Sequence, residues 1–160
     1  MTMRAKELSK GEQRINRIKR CAEQVLRVVL SVAAFWAVAH AGFVCAQEIT
    51  VTLSGNQEIP PVVTSATGTG TLIVGPDRSI SGKVTVSGMA ATVAHIHEAA
   101  AGANGPIIIP LTKVSENIWM VPADAKLTDA QYEAFRAGRL YFNVHSEAQR
   151  SGEIRSQIKP

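Results

Sequence analysis

Short runs in which apolar and polar residues alternate recur between residue 48 and the C-terminus. In the first run Ile49, Val51 and Leu53 alternate with polar residues, as expected for a strand with one buried face, because successive side chains of a strand point to opposite sides. About eight short strands at such spacing predict an all-β fold, and specifically a Greek-key β-sandwich. The later β-rich runs are residues 69–74, 79–86, 107–111, 117–121, 139–145 and 153–158.

One short helix is predicted near the C-terminal end, over residues 129–137. Thr128 and Gln131 have the spacing of a capping box, in which each side chain bonds to the backbone of the other residue. Gly138 follows at a position where glycine commonly ends a helix. The helix would therefore precede the last two strands.

Two further segments have a predicted structure. The apolar run 107–111 is interpreted as a short strand buried on both faces. Pro60 and Pro61 have no backbone N–H group to donate to a neighbouring strand. Residues 55–67 are therefore predicted to form a loop or an edge segment.

Three of the four histidines lie in two strand-like segments, residues 94–106 and 141–158. His95 and His97 are two residues apart, so their side chains would share a strand face at about 6.5–7 Å from each other. His145 lies on the polar side of its own segment. Because the apolar sides would pack in the core, we expect the three histidines to face outward.

If the two segments pair in one sheet, their polar sides would bring the three histidines together. Imidazole nitrogens are common ligands of copper and zinc, and three of them leave one coordination position open. Alternatively, the imidazoles form hydrogen bonds with the adjacent loop and with the strand that carries Glu153. The sequence therefore favours a copper or zinc site at His95, His97 and His145 as one interpretation, and indicates no other cofactor and no catalytic residue.

Five other polar residues are candidates for supporting this site or the scaffold around it. Glu153 could orient a histidine, or it could join an exposed cross-strand ion pair worth about 0–1 kcal/mol. For Arg155 the exposed ion pair is favoured. Glu58, beside two prolines, could reach the cluster or stay in solvent. Tyr141 and Asn143 are interpreted as structural hydrogen-bonding residues.

The basic character of the chain belongs to its N-terminal part. The formal net charge is +4, but eight of the 17 Lys and Arg residues and only three of the 13 Asp and Glu residues lie within residues 1–46. Residues 47–160 hold the other nine basic and ten acidic residues. Because this larger part has no excess of positive charge, we predict no binding to nucleic acid.

Residues 1–46 have the pattern of a secretory signal peptide. A basic segment precedes an uncharged, mostly apolar run of 17 residues from Val28 to Val44, and small residues permit cleavage after Ala46 or, alternatively, after Ala41. An uncleaved membrane anchor is the second interpretation, although 17 residues is at the short end of the roughly 17–25 that span a bilayer.

Cleavage would leave residues 47–160 as one domain in the periplasm or outside the cell. Both cysteines, Cys21 and Cys45, would leave with the leader. The mature domain could then form no disulfide, and its stability would depend on core packing.

Residues 53–158 resemble a known family in the order of their motifs. LSGNQEIPPVVTSATGTGTL, VSGM, AHIHEAAAGANGP and FRAGRLYFNVHSEAQRSGEIRSQI are similar to the CHRD domain, first described in chordin and widespread in secreted bacterial proteins. The resemblance implies an extracytoplasmic all-β domain, usually without an assigned catalytic activity. It places the family's recurring positions at Glu58, Pro60, Pro61, His95, His97, Gly105, Pro106, Tyr141, Asn143, His145, Gly152, Glu153, Ile154 and Arg155.

The HIHE segment, residues 95–98, also resembles the His-x-His-Glu stretch that supplies two copper ligands in copper/zinc superoxide dismutases. Those enzymes are Greek-key sandwiches too, so a superoxide-dismutase-like or immunoglobulin-like sandwich is the expected architecture. The mature chain has no disulfide pair and no histidine-rich zinc loop. Dismutase activity is therefore not predicted.

Three functions remain open from the sequence. The first is a non-enzymatic extracytoplasmic binding or structural module whose histidine face recognises a small ligand, a metal or another protein. The second is a copper- or zinc-binding redox or metal-handling protein. The third is a cell-surface adhesion or matrix protein. Contact with a membrane is expected only through the leader, if the leader stays uncleaved.

Overall fold

A computed structural model describes residues 46–160 of the chain. The predicted leader and its cleavage sites lie outside the described residues, except for Ala46. Within the described part, antiparallel strands dominate and a single 3₁₀ turn, Gly55–Gln57, follows the first of them. The elements are β1 (Gln47–Ser54), β2 (Thr67–Val74), β3 (Ile80–Ser87), β4 (Ala91–Glu98), β5 (Ile107–Pro110), β6 (Thr112–Ser115), β7 (Ile118–Met120), α1 (Asp129–Arg136), β8 (Leu140–Ser146) and β9 (Ile154–Ile158).

β1, β2 and β3 form an antiparallel meander with continuous register between neighbours. Leu53, Leu72 and Val84, one from each strand, are fully buried, whereas the residues next to them along each strand are half-buried or exposed. This alternation confirms the half-buried strands predicted from the sequence. β2 and β3 are joined by a hairpin, in which Gly75 N–H donates to the carbonyl of Ser79 at 2.8 Å.

The described strands hydrogen-bond into one sheet of order β5-β4-β8-β9-β1-β2-β3-β7-β6. The sheet is nearly closed and resembles a barrel. β9 and β1 are joined through a single residue pair, Arg155 and Ser54. We call this pair the seam; four strands lie on one side of it and five on the other.

The two parts of the sheet face each other across the core. Gly70 on β2 lies so close to Phe142 on β8 that a Cβ added to it would be 2.7 Å from the aromatic ring. Because β9 and β1 separate these two strands in the sheet, only curvature of the sheet can bring them together. The Phe142 ring is 1% exposed, and burial of such a side chain stabilises the fold by about 1.5–3 kcal/mol.

The short helix before the last two strands is confirmed as α1. Its capping box is complete: Gln131 N–H donates to Thr128 Oγ1 at 3.2 Å, and Thr128 N–H donates to Gln131 Oε1 at 2.9 Å. The buried residues of the helix are Ala134 and Phe135. The helix therefore covers the core with one side and leaves the other in solvent. Among residues 46–160, no helix has the length and apolar character needed to cross a bilayer.

The structure differs from the sequence prediction at β5 and β6. No residue of β5 is buried, although the run 107–111 was predicted to be buried on both faces. β5 is an edge strand with one neighbour, so much of it stays accessible. β6 was not predicted. All four of its residues are exposed, so its sequence has no alternation of apolar and polar residues that would indicate a strand. The all-β class is confirmed, but the strands form one continuous sheet where the sequence predicted a two-sheet sandwich.

Candidate metal centre

The pairing of β4 with β8 brings the three histidines together. His97 lies directly opposite Tyr141 and His95 opposite Asn143, and opposed side chains of paired strands have Cβ atoms about 4.5–5.5 Å apart. His145 follows two residues later on β8. One ligand atom from each imidazole lies within 4.8 Å of the other two. The cluster predicted from the sequence is therefore present.

Two backbone carbonyls fix the orientation of two of the imidazoles. The Nδ1 atom of His97 is 2.9 Å from the carbonyl oxygen of Gly105, and the Nδ1 atom of His145 is 2.9 Å from the carbonyl oxygen of Arg150. Because a carbonyl oxygen only accepts, each Nδ1 carries the hydrogen and each Nε2 presents a lone pair. Carbonyl contacts of this kind commonly orient metal-binding histidines.

The lone pairs converge on a common space. The Nε2 atom of His97 is buried and has no hydrogen-bond partner among residues 46–160. His95 supplies its Nδ1 atom, which is 3.2 Å from the Nε2 atom of His145. Buried polar atoms are nearly always satisfied, so the free Nε2 of His97 indicates a position suited to an additional group.

Burial keeps the three imidazoles neutral at physiological pH. Removal from water, with a smaller contribution from neighbouring imidazoles, lowers the pKa of His95 to about 4. Burial also lowers the pKa values of His97 and His145. Only a neutral imidazole can bind a metal ion, so the cluster is in its ligating form without deprotonation at neutral pH.

The polar side of these strands is covered by loops. All seven residues of β8 are buried, and His97 and His145 are each 9% exposed. Two of the covering segments are tied together where Asn104 Nδ2–H donates to the carbonyl of Ile59 at 2.8 Å. The histidines lie on the face of the strands opposite the core, as predicted, but the loops form a second layer over that face, so His97 and His145 are buried.

Three aromatic and cationic groups stack beside the cluster. The ring of Tyr141 lies on that of His97 with centroids 4.9 Å apart and planes 14° apart. The guanidinium carbon of Arg155 lies 3.5 Å from the centroid of the Tyr141 ring, which is a close cation–π contact. We call these three groups the stack. Arg155 is 2% exposed, so the predicted exposed ion pair is wrong for this residue.

The loop between β4 and β5 binds every member of the stack. Arg155 donates to the carbonyl of Ala103 at 2.9 Å and to Oδ1 of Asn104 at 3.0 Å. Gly105 N–H donates to the hydroxyl oxygen of Tyr141 at 3.1 Å, and the Gly105 carbonyl accepts from His97 as described above. Gly105 has no room for a side chain, because an added Cβ would overlap the carbonyl oxygen of Glu98.

Comparison with known proteins assigns the chain to a family. A family model for the CHRD domain matches residues 49–158, which is well over half of the 160 residues. The chain belongs to the CHRD family. No curated protein and no solved structure matched the chain significantly, so the looser resemblance to superoxide dismutases stays a prediction.

Glu58 reaches the polar layer of the CHRD domain through Asn143. Its Oε1 atom accepts a hydrogen bond from Asn143 Nδ2 at 2.6 Å, and the residue is 5% exposed. Burial raises the pKa of this carboxyl group to about 7, against the opposing effects of the Arg155 charge and the Asn143 hydrogen bond. Glu58 was predicted either to reach the cluster or to stay in solvent. The structure shows it near the cluster, because its partner Asn143 lies directly opposite His95.

Glu153 of the CHRD domain serves the scaffold. Its Oε1 atom accepts from the Thr64 hydroxyl at 2.7 Å, and its Oε2 atom accepts from the Ser146 hydroxyl. No hydrogen bond joins it to a histidine within residues 46–160. The carboxylate connects the segment after Pro61 to the end of β8. It does not orient a histidine in this structure, as the sequence had suggested it could.

The sequence predicted that the imidazoles could form hydrogen bonds with the adjacent loop, and His97 does so, but it did not identify which groups accept the hydrogen bonds. The carbonyls of Gly105 and Arg150 belong to the backbone, so no side-chain pattern points to them. Gly105 and Pro106 were noted only as recurring CHRD positions. Gly105 itself was the available signal, because glycine is favoured where a loop approaches a strand too closely for a side chain.

Proposed function

We propose that this CHRD domain is an extracytoplasmic metal-binding module that holds one copper or zinc ion with His95, His97 and His145. The observation that carries the proposal is the convergence of three neutral imidazoles, with ligand atoms within 4.8 Å of one another. The donor set supports copper or zinc, because both favour imidazole nitrogen.

The spacing of the nitrogens supports the same proposal. Two nitrogens bound at about 2.0 Å to one tetrahedral ion lie about 3.3 Å apart. The separation of 3.2 Å between His95 Nδ1 and His145 Nε2 is close to this value. The free Nε2 of His97 would supply the third bond.

The proposed location and architecture have separate support. The basic and apolar pattern of residues 1–46 favours export to the periplasm or the cell exterior. The seam of one residue pair and the face-to-face packing of β2 on β8 favour description of the sheet as a Greek-key sandwich with two joined layers. N-terminal sequencing of the mature protein tests the export proposal.

A structural module without metal is the second candidate. It is favoured by the contact between His95 Nδ1 and His145 Nε2, which can be a hydrogen bond if Nδ1 carries the hydrogen. Such a bond would satisfy both of these nitrogens. It leaves the Nε2 atom of His97 unsatisfied, and for this reason we favour metal binding.

Metal analysis of the purified mature domain tests the proposal. After exposure to copper or zinc and removal of free ions, we expect close to one ion per chain for the wild type and a large loss for His97→Ala. His95→Gln, at the more exposed imidazole, provides a second variant in case His97→Ala does not fold. Glu98→Ala, next to His97 on β4, is the control and should retain the ion. Equal metal content in wild type and both histidine variants would contradict the proposal.

A further inference from the structure

The proposed centre offers no negative charge to a bound ion. Within residues 46–160, the one cluster of potential ligands with atoms this close consists of imidazoles only, and these are neutral. A divalent ion would therefore keep its full charge of +2 in a covered site, whereas copper(I) would bring only +1. Burial of an uncompensated charge is costly, and the cost is larger for the divalent ion.

Arg155 places a further positive charge beside the centre. Its guanidinium group lies 3.5 Å from the Tyr141 centroid, and the same ring stacks on His97. Arginine does not lose its proton in proteins. The charge is therefore permanent and separated from one of the proposed ligands by a single aromatic ring, in a layer where screening by solvent is weak.

Above its pKa of about 7, Glu58 carries the opposing charge in the same layer. Its carboxyl group bonds to Asn143, which lies opposite His95 across the strand pair. The other buried carboxylate among residues 46–160 is Glu153, which already accepts hydrogen bonds from two hydroxyl groups. Arg155 and Glu58 should therefore act on a bound ion with opposite sign.

We propose that the three-histidine centre selects copper(I) over divalent ions and that the charge of Arg155, balanced in part by Glu58, sets this preference. The inference rests on the proposed function, because it names the ion that the same site holds. Trigonal coordination by three imidazoles satisfies copper(I) without a fourth ligand, which suits a site covered by loops. Arg155 is a positioning residue here, because it also fixes Tyr141 and the loop that orients His97.

The test compares the dissociation constants for copper(I) and zinc(II). Each is measured on the mature domain at pH 8 by competition with a chromophoric chelator, under anaerobic reducing conditions for copper(I). The wild type should bind copper(I) more tightly than zinc(II). Arg155→Gln should reduce this preference by about tenfold, as expected for the loss of one charge at this range, and Glu58→Gln should increase it.

Two control variants separate charge from packing. Arg155→Lys keeps the charge but loses the planar contact, so its preference should stay within about threefold of wild type. Arg136→Gln removes an exposed charge on α1 and should leave the preference unchanged. A structural role for Arg155 would instead weaken the binding of both ions together and leave their ratio constant.

The outcomes that overturn the inference differ from those that overturn metal binding. The selection of copper(I) would be overturned if the wild type bound zinc(II) more tightly than copper(I). It would also be overturned if Arg155→Gln and Glu58→Gln shifted the preference in the same direction, or left it unchanged. Either result leaves the three-histidine metal centre standing. Failure of the wild type to bind any of these ions would overturn both proposals.

Discussion

At the scale of single residues, Glu58 links burial to pH. The pKa of its carboxyl group is 4.5 as a reference and about 7 in the folded domain, because burial disfavours the charged form. The folded state therefore binds this proton more tightly than the unfolded chain does. The resulting stability is fully present below pH 4.5 and is lost as the pH rises through about 7.

Glu58→Gln should remove this loss while retaining an oxygen that accepts from Asn143. We expect the free energy of unfolding of the variant, relative to wild type, to rise between pH 4.5 and pH 7 and then to level off. Urea denaturation of the metal-free domain across this pH range measures the difference. Parallel pH profiles for the two proteins would show that the carboxyl group titrates alike in both states.

The histidine cluster was predictable residue by residue, but its surroundings were not. Alternation on two strands was enough to place His95, His97 and His145 on one side. It could not show that Arg155 is buried, because the contact depends on the Ala103–Asn104 segment, about fifty residues away in sequence. It also assigned Glu153 a possible histidine contact, whereas the hydroxyl groups of Thr64 and Ser146 lie within its reach instead.

At the scale of single elements, α1 depends on its N-terminal cap. The helix has only eight residues, too few to be stable alone. Thr128→Ala removes the side chain that accepts from Gln131 N–H and should lower the free energy of unfolding by about 0.5–2 kcal/mol. Chemical denaturation monitored by circular dichroism measures this loss.

Glu133→Ala is the matched control on the same helix. Its exposed ion pair with Arg136 should contribute about 0.2–0.5 kcal/mol at most. An equal loss of stability in both variants would indicate that the cap has no special role. Local capping chemistry also explains why α1 was predicted closely, whereas the exposed strand β6 was not.

At the scale of the whole molecule, stability depends on contact between the two parts of the sheet. Phe142→Ala removes the ring that packs against Gly70 and should lower the free energy of unfolding by about 3–5 kcal/mol, since the cavity can collapse only partly. Val63→Ala, at a fully exposed apolar residue, should change it by less than about 0.5 kcal/mol. Thermal or urea unfolding of both variants provides the measurement, and similar values for the two would contradict the packing described here.

The closure of the sheet could not be read from the sequence. Most strands can be recognised from local alternation, although β6 cannot, but the partners of a strand are set by contacts that are remote along the chain, such as that between Phe142 and Gly70. The predicted sandwich anticipated the face-to-face packing. It did not anticipate that Arg155 and Ser54 would join the strands into one sheet.

Arg155 belongs to two structures at once. Its backbone forms half of the seam with Ser54, and its side chain holds the Ala103–Asn104 segment that positions Gly105 over His97. A motion that parts the strands at this point would also loosen the carbonyl that orients the imidazole. Closure of the sheet at the seam and the orientation of the His97 ring therefore both depend on Arg155.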